Sequence, residues 1–346
     1  MLLLVDTARS GPAAELPGAD YVSIGLVNNM PDAAFEATER QFIDLIRAAA
    51  PEIVVCLKLF SIADVSRAQR VQSEITGRYR PVAELRDTML DGIIVTGTEP
   101  CAASLKEEPY WPAVTELVDW AGENTASTIW SCLVAHAAVL HADGIERSPL
   151  ASKLFGVFDC ETIACHPLFS GAELRRVPHS RYNDLSETAL RSSGYRILSR
   201  SATAGIDAFT KKQQGSSLFV FLQGHPEYET ATLLREYRRD VGRFLRHERE
   251  DYPAAPQGYL NEEAMALLDA FRVRAIDDRR ESLIANFPML GLEANLENTW
   301  RESAISIYQN WIGFLKDRKE KWRSGLARSG THAAMPPRSA AFADVS

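Results

Sequence analysis

Three side chains in this sequence have the types and placement for nucleophilic chemistry. Cys132 lies in STIWSCLVAHAA (residues 127–138), where an apolar, β-prone run gives way to an Ala-rich, helix-prone one. His225 and Glu227 close SLFVFLQGHPEYE (residues 217–229), just after a second apolar run. A thiol nucleophile needs a base to take and return protons, and the base needs a third group to fix its tautomer. A cysteine at the first turn of a helix is also favoured as thiolate. Each residue has a plainer reading. Free cysteine is among the most buried residue types, and a histidine after a strand is commonly a hydrogen-bonded structural one. Taken singly, both read as structural; a shared sheet edge is what turns the reading towards chemistry.

That edge is implied by the elements around them. The runs YVSIGLV (21–27), IVVCLKLF (53–60), DGIIVTG (91–97), STIWS (127–131) and SLFVFLQG (217–224) read as strands, and amphipathic helical patterns separate the first four. Phe35, Phe42, Leu45 and Ile46 recur at helical spacing after the first run, and Trp111, Val114, Leu117, Val118 and Trp120 after the third. Alternation of this kind predicts an α/β fold, a mostly parallel sheet with helices on both faces. Ligands then bind beyond the carboxyl ends of the strands, which selects Asn28 to Pro31, Thr96 to Cys101, Cys132, and Gly224 to Glu227.

Residues 1–20 read as a loose N-terminal segment, 21–250 as the α/β domain, 251–323 as a helical C-terminal layer packed on it, and 324–346 as a disordered tail. The formal charge of −8, with Lys and Arg interleaved with Asp and Glu, argues against nucleic acid as a partner and for small-molecule substrates. No apolar window approaches the ~18 residues of a membrane span, and MLLLVD is cut off by Asp6, so a cytoplasmic protein is expected. The five cysteines (Cys56, Cys101, Cys132, Cys160 and Cys165) form no C-x-x-C pair. The spacing of Cys160, Cys165 and His166 lacks a second ligand pair, so no metal site is expected.

The sequence resembles the homoserine O-succinyltransferase and O-acetyltransferase family, which has a flavodoxin-like, class I glutamine-amidotransferase-like sheet. The resemblance rests on LVNNMP (26–31), TERQF (38–42), DGIIVTG, YWP (110–112), the STIWSC elbow, KLFGVF (153–158), PHSRY (178–182), GHPEYE (224–229), REYRRDV (235–241) and TWRESAISIYQNW (299–311). It implies Cys132 as acyl-accepting nucleophile, His225 as general acid/base and Glu227 as the group that orients and charges it. It further implies Arg239, Glu236, Ser180, Arg181 and Lys153 as substrate-facing, and the backbone near Leu133, Gly97 and Thr98 as oxyanion donor. No bound cofactor is implied; succinyl-CoA or acetyl-CoA would be a co-substrate.

Three departures stand out. The family's lysine-bearing stretch after Met-Pro is replaced by DAAFEATERQF, with no lysine. Cys101 occupies the place where glycine marks succinyl-type and glutamate acetyl-type members; a small uncharged side chain leans towards succinyl. Residues 251–298 add helical sequence that could extend a homodimer surface or cover the active site. Two further readings remain: a glutamine-amidotransferase-like hydrolase, although Ser131, Leu133 and Val134 depart from a Gly-x-Cys-x-Gly elbow, and a non-catalytic binding member of the fold.

Overall fold

Strand residues of this chain are apolar on both sides, and the two faces take different partners. Ile94, Ile129 and Val220 point to one face, while Ile93, Trp130 and Phe219, each one residue away, point to the other. The computed structural model describes residues 3–8, 20–171, 174–215 and 217–329.

The strands are β1 (Leu3–Asp6), β2 (Tyr21–Val27), β3 (Val54–Ser61), β4 (Arg80–Pro81), β5 (Gly92–Val95), β6 (Ser127–Ser131), β7 (Ser148–Thr162), β8 (Leu174–Asp184), β9 (Arg196–Ser201), β10 (Gly205–Lys212) and β11 (Leu218–Leu222). The helices are α1 (Asp32–Ala49), α2 (Gln69–Thr76), α3 (Trp111–Asn124), α4 (Leu133–Asp143), α5 (Glu187–Ser192), α6 (Thr232–Leu245), α7 (Glu262–Asp277), α8 (Met289–Glu293) and α9 (Arg301–Ser329). One sheet runs β1-β3-β2-β5-β6-β11-β10-β9-β7-β8, with β4 beside β3. From β1 to β11 every pairing is parallel; from β11 onward every pairing is antiparallel.

The expected α/β sheet with helices on both faces is therefore present. On one face α1, through Phe42, Leu45 and Ile46, and α9, through Tyr308, Trp311, Ile312 and Leu315, cover the strands. On the other, α3 (Val114, Leu117, Val118) and α4 (Val134 to Leu140) do so. A third apolar cluster joins α6 and α7 to Phe155, Val157, Tyr228 and Trp300.

Two boundaries differ from expectation. Leu3–Asp6 is not loose: it is an edge strand in register with Val55 to Lys58, and Asp6 pairs with Arg80 at 3.1 Å. Helix α9 packs directly on the sheet, where its Trp311 indole donates to the Ser127 hydroxyl at 3.0 Å. The same helix continues to Ser329, past the expected start of the tail; residues 9–19 and 330–346 lie outside the described residues.

The antiparallel wing β7 to β10 gave no sequence signal of its own. β7 carries a register irregularity between Pro149 and Leu154, and β8 contains Pro178 among charged residues. β8 lies at the end of the sheet, where a missing strand N–H is tolerated. Among the described residues no helix is long and apolar enough to cross a membrane.

Candidate active site

Adjacent parallel strands that end together bring the sequence's three chemical side chains to one place. β6 and β11 run in register, with Leu222 opposite Ser131, so Cys132 and Gln223 begin their turns at the same height. The Cys132 amide donates to the Leu222 carbonyl at 2.7 Å, and the Cys132 carbonyl accepts from Ala135 at 3.0 Å. These bonds hold Cys132 at φ 56°, ψ −118°, a region that non-glycine residues rarely occupy. The thiol makes no capping bond to helix α4. It stands on a sharp strand-to-helix elbow and is partly exposed.

His225 and Glu227 are almost fully buried, and the His225 Nδ1–H donates to Glu227 Oε1 at 2.8 Å. That bond leaves Nε2 facing Cys132, whose thiol is hydrogen-bonded to the ring. Burial works to lower the imidazole pKa; the charges and hydrogen bonds of Cys132 and Glu227 together outweigh it and hold the ring well above the ordinary histidine range. The result favours the imidazolium form of His225.

The turn that carries His225 is fixed from three sides. The His225 amide donates to the Pro178 carbonyl at 2.8 Å, Tyr228 stacks on the imidazole at 4.3 Å, and the Trp300 indole donates to the Tyr228 carbonyl at 2.8 Å. Gly224 is needed because a Cβ there would lie 2.9 Å from Asp207 Oδ1 and 3.1 Å from the His179 ring.

The loop after β5 approaches the start of α4 equally closely. A Cβ on Gly97 would fall 2.7 Å from the Leu133 Cβ and 3.1 Å from its amide nitrogen, so only glycine lets the end of β5 lie on the first turn of α4. The Leu133 amide, at a helix N-terminus, has no carbonyl four residues earlier to bond. Thr98 follows, half-buried, in the same loop.

The residues implied as substrate-facing divide into two groups. Ser180 donates to Glu236 Oε2 at 2.6 Å and the Tyr228 hydroxyl to Glu236 Oε1 at 2.6 Å. Lys153 reaches Asp240 at 2.8 Å and Glu236 at 3.6 Å, and Arg239 reaches Asp240 at 3.0 and 3.1 Å. These form one network joined to the His225 ring by Tyr228. Against the pull of burial, Lys153 and Arg239 hold the Asp240 carboxyl below its usual range.

Arg181 is a correction. Its guanidinium is buried and donates to the carbonyls of Asn183 at 2.6 Å and Ala204 at 2.5 Å, so it braces the wing and is closed to a substrate. Cys101 is exposed in the loop after β5, where its amide and that of Ala102 donate to Glu108 Oε1, each at 2.7 Å. Glu99 in that loop is paired with Arg243 of α6 at 3.0 and 3.1 Å, so its charge is spent there. Arg67 lies over the Phe35 ring, pairs with Asp32 at 3.5 Å and donates to the Met30 carbonyl at 2.9 Å, holding the Asn28–Met30 turn.

Among the described residues, one group has metal-ligand types within reach of one another: buried Cys160, His179 and Asp207. Asp207 is paired with Arg175 at 2.6 Å and accepts from the Ser199 hydroxyl at 2.6 Å, while burial pushes the Cys160 thiol up and His179 down to about 3. The group reads as a polar brace behind Gly224. Sequence reasoning gave no role to Tyr228, Asp240, Glu108, Tyr110 or Arg147. Asp240 had a signal, four residues after Glu236 on one helix; Arg147, in the connection from α4 to β7, had none.

The model of the family described as HTS, homoserine O-succinyltransferase, matches residues 11–321. The chain belongs to the homoserine O-succinyltransferase family. It is 48% identical over 295 residues to a homoserine O-succinyltransferase of Rhodopseudomonas palustris, covering 85% of this chain and 88% of that protein. It is 44% identical over 328 residues to one of Bradyrhizobium japonicum, covering 92% and 100%. A solved glutamine amidotransferase from Methylobacillus flagellatus is 15% identical, with a TM-score of 0.47 over 85% of this chain and 95% of that one. Membership makes the protein an acyltransferase, in agreement with the sequence resemblance.

Proposed function

We propose that this protein transfers a succinyl group from succinyl-CoA to the side-chain hydroxyl of L-homoserine through a thioester on Cys132. The observation that carries the reading is the strained elbow cysteine hydrogen-bonded to a buried histidine whose other nitrogen is fixed by Glu227.

The first half-reaction begins with the Cys132 thiolate attacking the thioester carbonyl. The tetrahedral oxyanion accepts hydrogen bonds from the amides of Leu133 and of the Gly97–Thr98 loop. Collapse expels the CoA sulfur, which takes the proton from the His225 imidazolium and leaves as the thiol. Acylation thereby removes the negative charge of Cys132, a main cause of the raised histidine pKa. Burial then works unopposed by that charge and favours the neutral imidazole, which is the form the second step needs. Neutral His225 takes the homoserine hydroxyl proton, the oxygen attacks the succinyl thioester, and collapse releases O-succinylhomoserine with Cys132 restored as thiolate beside imidazolium.

The acceptor fits the network on the far side of His225. The planar Arg239 guanidinium suits the homoserine carboxylate, and the Glu236 carboxylate suits its ammonium group. Lys153 and Ser180 hold Glu236 and Asp240 in place. Initial rates over a grid of both substrate concentrations test the scheme. Parallel double-reciprocal lines are expected, with succinyl-CoA preferred over acetyl-CoA; intersecting lines would contradict a free acyl-enzyme.

A further inference from the structure

Near Cys132, three polar atoms are buried without a hydrogen-bond partner among the described residues: Glu108 Oε2, the Tyr110 hydroxyl and Arg147 Nη1. Glu108 is 2% and Tyr110 7% exposed, and Arg147 is half-buried. Arg147 forms no ion pair with any described carboxylate, although Glu108, Tyr110 and Cys132 all lie near enough to act on its charge. Tyr110 in turn feels Glu108, Arg147 and Cys101. The group therefore lies near both Cys132 and Cys101.

Buried polar atoms are costly when unpaired, and a cluster of them calls for a ligand that supplies the partners. Two of the three, a guanidinium and a phenol, are donors, and the complement of a guanidinium and a hydroxyl is a carboxylate. Glu108 fixes the loop instead, its Oε1 accepting the Cys101 and Ala102 amides.

We propose that Arg147 and Tyr110 form the seat of the donor's terminal carboxylate and so select a dicarboxylic acyl group. The proposal rests on the reading above, in which Cys132 takes the acyl group from a CoA thioester. The acyl carbonyl must sit at Cys132, and the succinyl carboxylate is only two methylenes away. The phosphates of CoA are separated from that carbonyl by the whole pantetheine arm, so an anion held beside Cys132 is the acyl one. An acetyl group would leave both donors unpaired, and buried donors without partners discriminate strongly against the ligand that strands them.

The test compares kcat/KM for succinyl-CoA and acetyl-CoA in wild type, Arg147→Met, Arg147→Lys and Tyr110→Phe, with intact mass to record the Cys132 adduct. Arg147→Met should lose about 100-fold on succinyl-CoA and far less on acetyl-CoA, as expected for removal of a charge-assisted bond. Tyr110→Phe should lose about 10-fold in the same sense, and Arg147→Lys should recover part of the succinyl preference. Equal losses on both donors would mean that Arg147 reads the CoA portion or only supports the fold, and would overturn the proposal. An unchanged donor ratio would overturn it too. Absence of any adduct on wild-type Cys132 would instead sink the acyl-enzyme reading, and this inference with it.

Discussion

Two groups of polar residues near Cys132 treat charge in opposite ways. In the first group, Lys153, Ser180, Glu236, Arg239 and Asp240 are joined by bonds of 2.6 to 3.1 Å, and Tyr228 ties them to the His225 ring. In the second group, Glu108, Tyr110 and Arg147 each keep a buried atom without a partner among the described residues. A paired network is rigid before the substrate arrives and holds a fixed shape for a small amino acid. An unpaired one has its selectivity in the ligand that completes it. Substitutions in the first group should therefore disturb acceptor binding, and those in the second should change the choice of donor.

The largest break in this comparison should come outside both groups. Gly97→Ala pushes a methyl group into Leu133 and displaces the oxyanion amides, so kcat should fall about 100- to 1000-fold with either donor, as for loss of an oxyanion donor. A donor-dependent loss would assign Gly97 to the second group. Glu227→Gln should cost about 100-fold in kcat. In the same variant the His225 ring should titrate at lower pH by NMR, because one of the charges that raises it is gone. An unmoved ring would leave Glu227 with packing alone.

Arg239→Lys sharpens the contrast on a smaller scale. It keeps the charge but loses the planar fork, and should raise the homoserine KM about 10-fold with the succinyl-to-acetyl ratio unaltered. A shift in that ratio would merge the two groups into one site.

The smallest effect is on stability. A histidine whose folded pKa lies above its unfolded value stabilises the fold fully below about pH 6.5, and this contribution is lost as pH rises through the folded pKa. Thermal midpoints of wild type and Glu227→Gln should differ most at the acid end of that window. The two curves should draw together at higher pH; a constant gap would assign the difference to lost packing.

The legible part of the sequence was the part governed by strand periodicity. YVSIGLV and STIWS became β2 and β6 residue for residue, because strands buried on both faces must be continuous apolar runs. Their carboxyl ends could then be aligned, which put Cys132 and His225 on one edge. The antiparallel wing was illegible for the converse reason: β8 is an edge strand with charged residues and Pro178, so it lacks a periodic signature.

Arg181 shows the limit of carrying a motif forward. Within PHSRY, Ser180 donates to Glu236, but the next residue on the strand points to the opposite side and is spent on the Asn183 and Ala204 carbonyls. Arg147 shows the limit in the other direction. It stands in a connection without pattern, 15 residues after Cys132 in the sequence, and only the buried surroundings of its guanidinium distinguish it.

The most direct test of the acyl-enzyme is intact-protein mass after incubation with succinyl-CoA, followed by addition of homoserine, with Cys132→Ala beside the wild type. A succinyl adduct that depends on Cys132 and disappears as homoserine is consumed is the predicted result. No adduct, or one that persists in Cys132→Ala or survives homoserine, would contradict the thioester mechanism.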